Sequence, residues 1–233
     1  MIKSPSYESN DKKCIIFDLD GTLVDHFVAI TQSIHHVQNI LTLPISTKNE
    51  VITAVGGGIE LTLERLIGKK RVTVALPLFK EHIEKNLLKG LFALPGANWL
   101  LENLYASGKK IAVLTNKYGP HSRAILDHLE LSKYITANFG TGDTPYRKPH
   151  PKFTEHLLST IKASPQDSLF IGDSPFDYAS ANALSIPCHM VTTGSHTAKQ
   201  LKLETRASGY HKDLYELGNH CFNLQLPDLT RSN

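Results

Sequence analysis

The stretch CIIFDLDGTLVD, from Cys14 to Asp25, contains an apolar run that leads directly into two acids, Asp18 and Asp20. The run predicts a buried strand, and strand interiors exclude unpaired carboxylates because burying an isolated charge is costly. Two explanations are open: an exposed turn after the strand, or a site in which something neutralises both acids. Residues two apart in an extended segment project to the same side, so the second explanation places both carboxylates in one small volume.

Later segments repeat this pattern of a short apolar run, polar residues and then a helix. One run leads into Thr115 and Asn116, another leads into Asp173, and a shorter one precedes a loop that contains Lys148. Apolar strands that alternate with helices predict an α/β fold, a parallel-sheet, Rossmann-like core with helices on both faces. Ligands bind outside the carboxyl ends of the strands in such sheets, so these polar residues are expected to converge at one edge.

A long segment after the opening stretch interrupts this alternation with about four helical stretches and no clear strand. Its periodicity favours a helical cap inserted after the first strand, although helices packed directly on the sheet would show the same pattern. The ends of the chain are expected to be loose. The predicted domains are a core formed by residues 13–25 and 92–222, a cap formed by residues 26–91, and tails at residues 1–12 and 223–233.

The composition excludes several classes of protein. The chain of 233 residues is 41% apolar and 20% charged, which is ordinary for a globular protein. Its net charge of +3 is spread along the chain and does not favour nucleic-acid binding. No apolar run approaches the roughly 20 residues of a membrane span. A small-molecule ligand, with no nucleic-acid or membrane partner, is the expectation, and the oligomeric state stays open.

The cysteines and histidines show no recognisable metal-binding spacing. Three cysteines without a CxxC pair predict neither a disulfide framework nor a thiolate metal site, and they favour a reducing, cytoplasmic location. The twelve histidines contain no HxxxH zinc pattern, so no ligand role is assigned to them.

The acids at the predicted sheet edge favour a hard divalent cation. Asp18, Asp20 and Asp173 would repel one another in one small volume unless a cation neutralised them. Mg²⁺ fits this role because it takes few protein carboxylates and keeps water or substrate oxygens as its other ligands. Asp177 lies four residues after Asp173, so on a helix it would share that face and support the metal site from behind.

The other residues at this edge suit a phosphoryl group. Lys148 supplies a cation, while the Thr115 hydroxyl and the Asn116 amide, or nearby backbone, supply hydrogen-bond donors. A dianionic phosphoryl group needs such a set because its charge is spread over three oxygens during transfer. One carboxylate can then act as nucleophile, and a neighbouring carboxylate can move the proton.

Four motifs, in order, resemble those of the haloacid dehalogenase-like hydrolases. They are FDLDGT (Phe17 to Thr22), LTN (Leu114 to Asn116), RKP (Arg147 to Pro149) and GDSPFD (Gly172 to Asp177). The helical insertion also lies where that family places a cap. Within the family, the segments TNKYGP, KPHP and AVGGGIELTLERL are similar to phosphoglycolate phosphatases.

This resemblance implies a role for each candidate residue. Asp18 is the expected nucleophile and a metal ligand, and Asp20 is the expected acid/base, which also offers its backbone carbonyl to Mg²⁺. Asp173 is expected to complete the metal site, and Asp177 is expected to support it. Thr115 and Asn116 are expected to bind the phosphoryl group. Lys148 is expected to stabilise the charge of the phosphoryl group and to orient Asp18.

The implied function is a Mg²⁺-dependent phosphatase that hydrolyses a small organic phosphate monoester through an aspartyl-phosphate intermediate. 2-Phosphoglycolate is the first substrate to consider, and a nucleotide or sugar phosphate is the alternative. A mutase of the β-phosphoglucomutase type usually has a hinge histidine where this chain has Ile30, and His26 is not expected to be catalytic. Two other classes stay open: a phospho-aspartate signalling module, which the inserted helices and Asp20 oppose, and an inactive binding protein.

Overall fold

A six-stranded parallel sheet forms the centre of the computed structural model, which describes residues 9–227. The strand order is β5-β4-β1-β6-β7-β8, and a separate two-stranded antiparallel ribbon joins β2 to β3. The strands are β1 (Cys14–Phe17), β2 (Val24–Asp25), β3 (Phe92–Ala93), β4 (Lys110–Tyr118), β5 (Ala137–Thr141), β6 (Ser168–Gly172), β7 (Cys188–Val191) and β8 (Gly209–His211).

Helices cover both faces of this sheet and form a further layer after β2. None of the helices within residues 9–227 is long and apolar enough to cross a membrane. The helices are α1 (Phe27–Ile40), α2 (Lys48–Ala54), α3 (Ile59–Ile67), α4 (Val72–Asn86), α5 (Ala97–Ala106), α6 (Gly119–His128), α7 (Pro151–Ile161), α8 (Pro175–Asn182), α9 (Ala198–Glu204) and α10 (Leu214–Phe222).

The opening strand β1 lies in the middle of the sheet, between β4 and β6. Its four residues are fully buried, and alternate side chains enter opposite layers of the core. Ile15 and Phe17 pack with α5, α6 and α10, whereas Cys14 and Ile16 pack with α7, α8 and α9. Burial on both faces explains why this strand is apolar throughout, and it confirms the predicted parallel-sheet core.

Helices α1 to α4 share an apolar core of their own. The pattern LPLFKEHIEKNLLKG predicts that the fourth helix begins at Leu76, but α4 begins at Val72. The earlier start places Ala75 on the same buried face as Phe79 and Ile83, which continues the apolar stripe by one turn. The division of the chain into a core domain and a cap domain stays a prediction.

The predicted tails fall largely outside the described residues, since residues 1–8 and 228–233 are not among them. Ser9, within the predicted N-terminal tail, is buried. Its hydroxyl lies 3.2 Å from Nε2 of His189 on β7. This residue therefore packs against the sheet rather than lying loose.

Candidate active site

Asp18 follows directly after β1 and contacts a buried lysine. Nζ of Lys148 lies 2.6 Å from Oδ1 of Asp18 and 2.6 Å from Oδ1 of Asp177, and all three side chains are buried. Burial by itself would lower the pKa of Lys148, but attraction to Asp177 and Asp18 outweighs it and raises that pKa. The ammonium group therefore stays charged and links Asp18, which follows β1, to Asp177 on α8.

Asp18 also belongs to a cluster of three carboxylates with Asp173 and Asp177. One oxygen from each lies within 4.8 Å of the others. Burial raises the pKa of Asp18 to about 6, against the opposing attraction of Lys148. Burial, with repulsion from Asp177 and Asp18, raises the pKa of Asp173 well above its usual value. Three buried carboxylates beside one lysine are an all-oxygen donor set that fits a hard divalent cation.

The start of α8 positions Asp177. Ser174 is the N-cap residue and Pro175 occupies the first turn, as the SPFD pattern predicts. Oδ2 of Asp177 accepts hydrogen bonds from the backbone N–H of Asp173, at 3.2 Å, and of Ser174, at 3.0 Å, and from the Ser174 hydroxyl, at 2.7 Å. Its other oxygen is therefore left for Lys148, which agrees with a supporting position behind the site.

The loop after β7 holds Asp173. The backbone N–H and the hydroxyl of Ser195 donate to Oδ2 of Asp173 at 2.7 and 2.8 Å. The preceding Gly194 allows this approach, because a Cβ there would lie 2.0 Å from that oxygen. Sequence reasoning missed Ser195, although the polar residues after the strand in IPCHMVTTG were the same signal that identified the other candidates.

Asp20 is not one of the three clustered carboxylates, although it lines the same cavity as Asp18. Its Oδ2 is 2.8 Å from Nζ of Lys117, and that nitrogen is 2.9 Å from Nδ1 of His26. Burial acts to raise the pKa of Asp20, but attraction to Lys117 outweighs it and lowers that pKa. Lys117 was not among the predicted residues, and it holds Asp20 in the ionised form.

His26 connects this ion pair to the junction between the helical layer and the sheet. Its Nε2 donates to the carbonyl of Leu87, so Nδ1 carries the lone pair that accepts from Lys117. Burial, reinforced by the charge of Lys117, lowers the pKa of His26 to about 4. The imidazole is therefore neutral near neutral pH, which suits a positioning role.

This depressed pKa predicts acid sensitivity. In the unfolded chain His26 takes up a proton near pH 6.5, whereas in the folded protein it does so near pH 4. Its contribution to the free energy of unfolding is therefore complete above about pH 6.5 and is lost as the pH falls toward 4. The loss is on the order of 3 kcal/mol. We expect His26→Gln to lose less stability over this interval in urea unfolding, while exposed His128→Gln behaves as wild type. An unchanged pH dependence in His26→Gln would contradict the assignment.

The end of β4 supplies Thr115 and Asn116. Thr115 lines the cavity above the carboxylates. The Asn116 side chain instead holds two loops together: Oδ1 accepts from the Lys148 N–H at 2.8 Å, and Nδ2 donates to the carbonyls of Lys148 and Gly56, both at 3.1 Å. The Asn116 amide is therefore engaged within the protein, and it fixes the loop that presents Lys148.

A cavity of about 340 Å³ opens above these residues, between the sheet edge and helices α1 to α4. Two contacts of acidic side chains border it: a hydrogen bond between His121 and Glu84 at 2.6 Å, and an ion pair between Arg147 and Glu60 at 3.5 Å. The wall is thus part acidic and part apolar, while the floor carries the acids and lysines described above. The apolar side chains that line it are Ile30, Val55, Ile59, Phe79 and Ile83.

Comparison with known proteins agrees with this geometry. The family model described as haloacid dehalogenase-like hydrolase matches residues 15–191. The phosphoglycolate phosphatase of Salmonella paratyphi A is 29% identical over 213 residues, which cover 81% of this chain and 84% of that protein. The corresponding enzyme of Escherichia coli K12 is 27% identical over 217 residues, with coverage of 83% and 86%.

Solved structures extend the similarity to three dimensions. A predicted phosphoglycolate phosphatase from Haemophilus somnus 129PT aligns with a TM-score of 0.81 and 25% identity, covering 89% of this chain and 96% of that one. A haloacid dehalogenase-like hydrolase from Bacteroides fragilis shares the fold, with a TM-score of 0.83 and 21% identity over 88% of this chain and 99% of that one. These matches confirm the predicted resemblance and support a phosphoric monoester hydrolase. The chain belongs to the haloacid dehalogenase-like hydrolases.

Proposed function

We propose that this protein is a Mg²⁺-dependent phosphatase that hydrolyses a small phosphorylated metabolite in the cytoplasm. The observation that carries the proposal is the buried cluster of Asp18, Asp173 and Asp177, linked by Lys148 at the floor of a cavity. We assign residues 13–25 and 92–222 to the core domain and residues 26–91 to a cap. The separate apolar core of α1 to α4 supports that division.

The donor set determines where the cation would bind. The carboxylates of Asp18 and Asp173, with the backbone carbonyl of Asp20, would hold Mg²⁺, and Asp177 would support them from α8. When bound, Mg²⁺ would neutralise charge on the phosphoryl oxygens. The raised pKa values of Asp18 and Asp173 are consistent with a site that is stabilised by an added positive charge.

Asp18 is the proposed nucleophile because Lys148 orients one of its oxygens. Its carboxylate attacks the phosphorus atom, the bond to the leaving oxygen breaks, and an aspartyl-phosphate forms. Asp20 donates a proton to the leaving oxygen and then accepts one from the water that hydrolyses the intermediate. Thr115 and the backbone at Asn116 would bind the phosphoryl oxygens, together with Lys148.

Asp20 must carry a proton for the first of these steps, although Lys117 lowers its pKa. A substrate dianion adds negative charge beside Asp20 and raises the pKa of a neighbouring carboxyl group. The same charge competes with Asp20 for Lys117. We therefore propose that substrate binding itself converts Asp20 to the acid form.

We propose 2-phosphoglycolate as the substrate, because the similar bacterial proteins carry that name. The carboxylate of this substrate would meet Lys117, which is paired with Asp20, and the imidazole of His121, which is hydrogen-bonded to Glu84; both residues line the cavity. The apolar part of the wall favours the second candidate, a larger sugar or nucleotide phosphate.

Release of phosphate from an aryl phosphate tests the reaction class. We expect turnover with Mg²⁺, loss of turnover with a chelator, and recovery when Mg²⁺ is restored. Turnover that a chelator does not affect would contradict the metal assignment, and a stable phospho-aspartate without turnover would favour a signalling module. A panel of metabolite phosphates tests the substrate: if 2-phosphoglycolate shows no advantage in kcat/KM, the narrower proposal is wrong.

A further inference from the structure

A second group of metal-ligating side chains lies outside the active-site cavity. It comprises His189 on β7, His211 on β8 and Cys221 on α10, all buried. One ligand atom from each lies within 4.8 Å of the other two. The three residues come from separate elements, so no local spacing in the sequence marks them.

The three donor atoms form a triangle of the size that a tetrahedral metal requires. Nδ1 of His189 is 2.9 Å from Nε2 of His211, and Sγ of Cys221 lies 3.3 Å and 3.9 Å from those two nitrogens. Around Zn²⁺, bond lengths of about 2.05 Å to nitrogen and 2.3 Å to sulfur give edges of about 3.4 Å and 3.6 Å. Every observed edge is within about 0.5 Å of those values.

The hydrogen bonds of His189 point its free lone pair into this triangle. Its Nε2 lies 3.2 Å from the Ser9 hydroxyl, which can accept that N–H and leave Nδ1 unprotonated. Nδ1 then has one lone pair, and both His211 and Cys221 approach it. One lone pair cannot accept two good hydrogen bonds, whereas a cation at the centre would use one lone pair from each residue.

Gly209 leaves space beside both nitrogens. A Cβ on this residue would lie 2.6 Å from Nδ1 of His189 and 2.9 Å from Nε2 of His211. Gly209 is not among the glycines with positive φ, so its backbone conformation does not require glycine. The missing side chain therefore matters for the space it leaves, which borders the two donor atoms.

The ionisation of the three groups suits metal binding. Burial lowers the pKa of His189 and of His211 to about 4, so both imidazoles are neutral near neutral pH and can act as ligands. Burial raises the pKa of Cys221 to about 12, so its thiol needs a cation to lose its proton. A coordinated metal supplies that cation.

We propose that His189, His211 and Cys221 bind one Zn²⁺ ion at a site that ties β8 and α10 to β7. Two imidazoles and a thiolate favour Zn²⁺ over Mg²⁺, because Mg²⁺ prefers oxygen ligands. Binding forms two Zn–N bonds and one Zn–S bond and releases the thiol proton to solvent. A water would take the fourth position of the tetrahedron.

Metal substitution tests this site in the full chain. Metal-free protein in excess Mg²⁺ should bind one Zn²⁺ per chain and unfold at a higher temperature when Zn²⁺ is added. Co²⁺ in its place should give a thiolate-to-cobalt charge-transfer band. Neither the carboxylate cluster nor Mg²⁺ can produce that band, so this readout is independent of the proposed phosphatase function.

Three variants make the test specific. Cys221→Ser should lose the charge-transfer band and bind Zn²⁺ at least about 100-fold more weakly. Gly209→Ala should also weaken binding, although it removes no ligand, because its methyl group fills the space beside the nitrogens. Cys14→Ala removes a buried cysteine from another strand and should keep the band. No band in the wild type, or a band that persists in Cys221→Ser, would overturn the proposal.

Discussion

Asp18→Asn is expected to reduce turnover of any phosphate ester by a factor on the order of 10⁴ to 10⁶, the range seen when one member of a catalytic triad is removed. An amide at this position has nearly the shape of the carboxylate but cannot attack phosphorus as an anion. It also removes one of the three carboxylates available to the cation. The measurement is kcat/KM for an aryl phosphate at saturating Mg²⁺.

Two controls separate this loss from damage to the fold. Asp18 shares one lysine with Asp177, and burial, together with repulsion from Asp177, raises the pKa of Asp18. Removing its charge should therefore leave metal-free protein at least as stable as wild type in urea unfolding. Asp127→Asn on the exposed side of α6 makes the same chemical change elsewhere and should keep full activity. Mg²⁺-dependent turnover that persists in Asp18→Asn would refute the nucleophile assignment.

Much of the sheet edge was predictable from sequence because one rule covers the residues that directly follow the apolar strands. Side chains that follow apolar strands meet at the carboxyl edge of a parallel sheet, and β1, β4 and β6 are neighbours in the order β4-β1-β6. Asp18, Thr115 and Asp173 therefore lie near one another, and Lys148 reaches them from the loop that Asn116 holds.

Lys117 and the side-chain role of Asn116 were not predictable in the same way. The strand β4 continues to Tyr118, beyond the apolar run, and this extension brings Lys117 to Asp20. Nothing local distinguishes that lysine among the 25 lysines and arginines of the chain. Its partner is 97 positions away, and the pairing of β1 with β4 brings the ends of the two strands together.

The histidines show the same limit more strongly. His189 and His211 are on adjacent strands. His189 pairs with Gly209 and His211 pairs with Val191, so each histidine is two residues from the pairing partner of the other. Cys221 is on a helix that packs over them. Sequence reasoning assigned no histidine a ligand role because it looked for spacing within one element. The structure assembles the group through strand pairing, which spacing within one element does not reveal.

Lys148→Met should have the largest effect on stability. Its ammonium group is buried between Asp18 and Asp177, so the substitution leaves two buried carboxylates without their cation. Removing one partner of a buried ion pair costs about 3–5 kcal/mol. We expect a loss of that size in the free energy of unfolding near neutral pH, measured with urea in metal-free buffer, together with loss of phosphatase activity.

The charge of Asp177 makes this prediction specific. If the loss of stability arises from an unpaired carboxylate, the double variant Lys148→Met/Asp177→Asn should be more stable than Lys148→Met. Asp177→Asn alone should destabilise the wild type. The effects of the two changes on the free energy of unfolding should therefore not be additive. Lowering the pH should also narrow the difference between Lys148→Met and wild type, because protonation removes the uncompensated charge. Exposed Lys152→Met should change stability by no more than about 0.5 kcal/mol. If Lys148→Met is as stable as the wild type at neutral pH, Lys148 does not hold the two acids, and the account of how Asp18 is oriented fails with it.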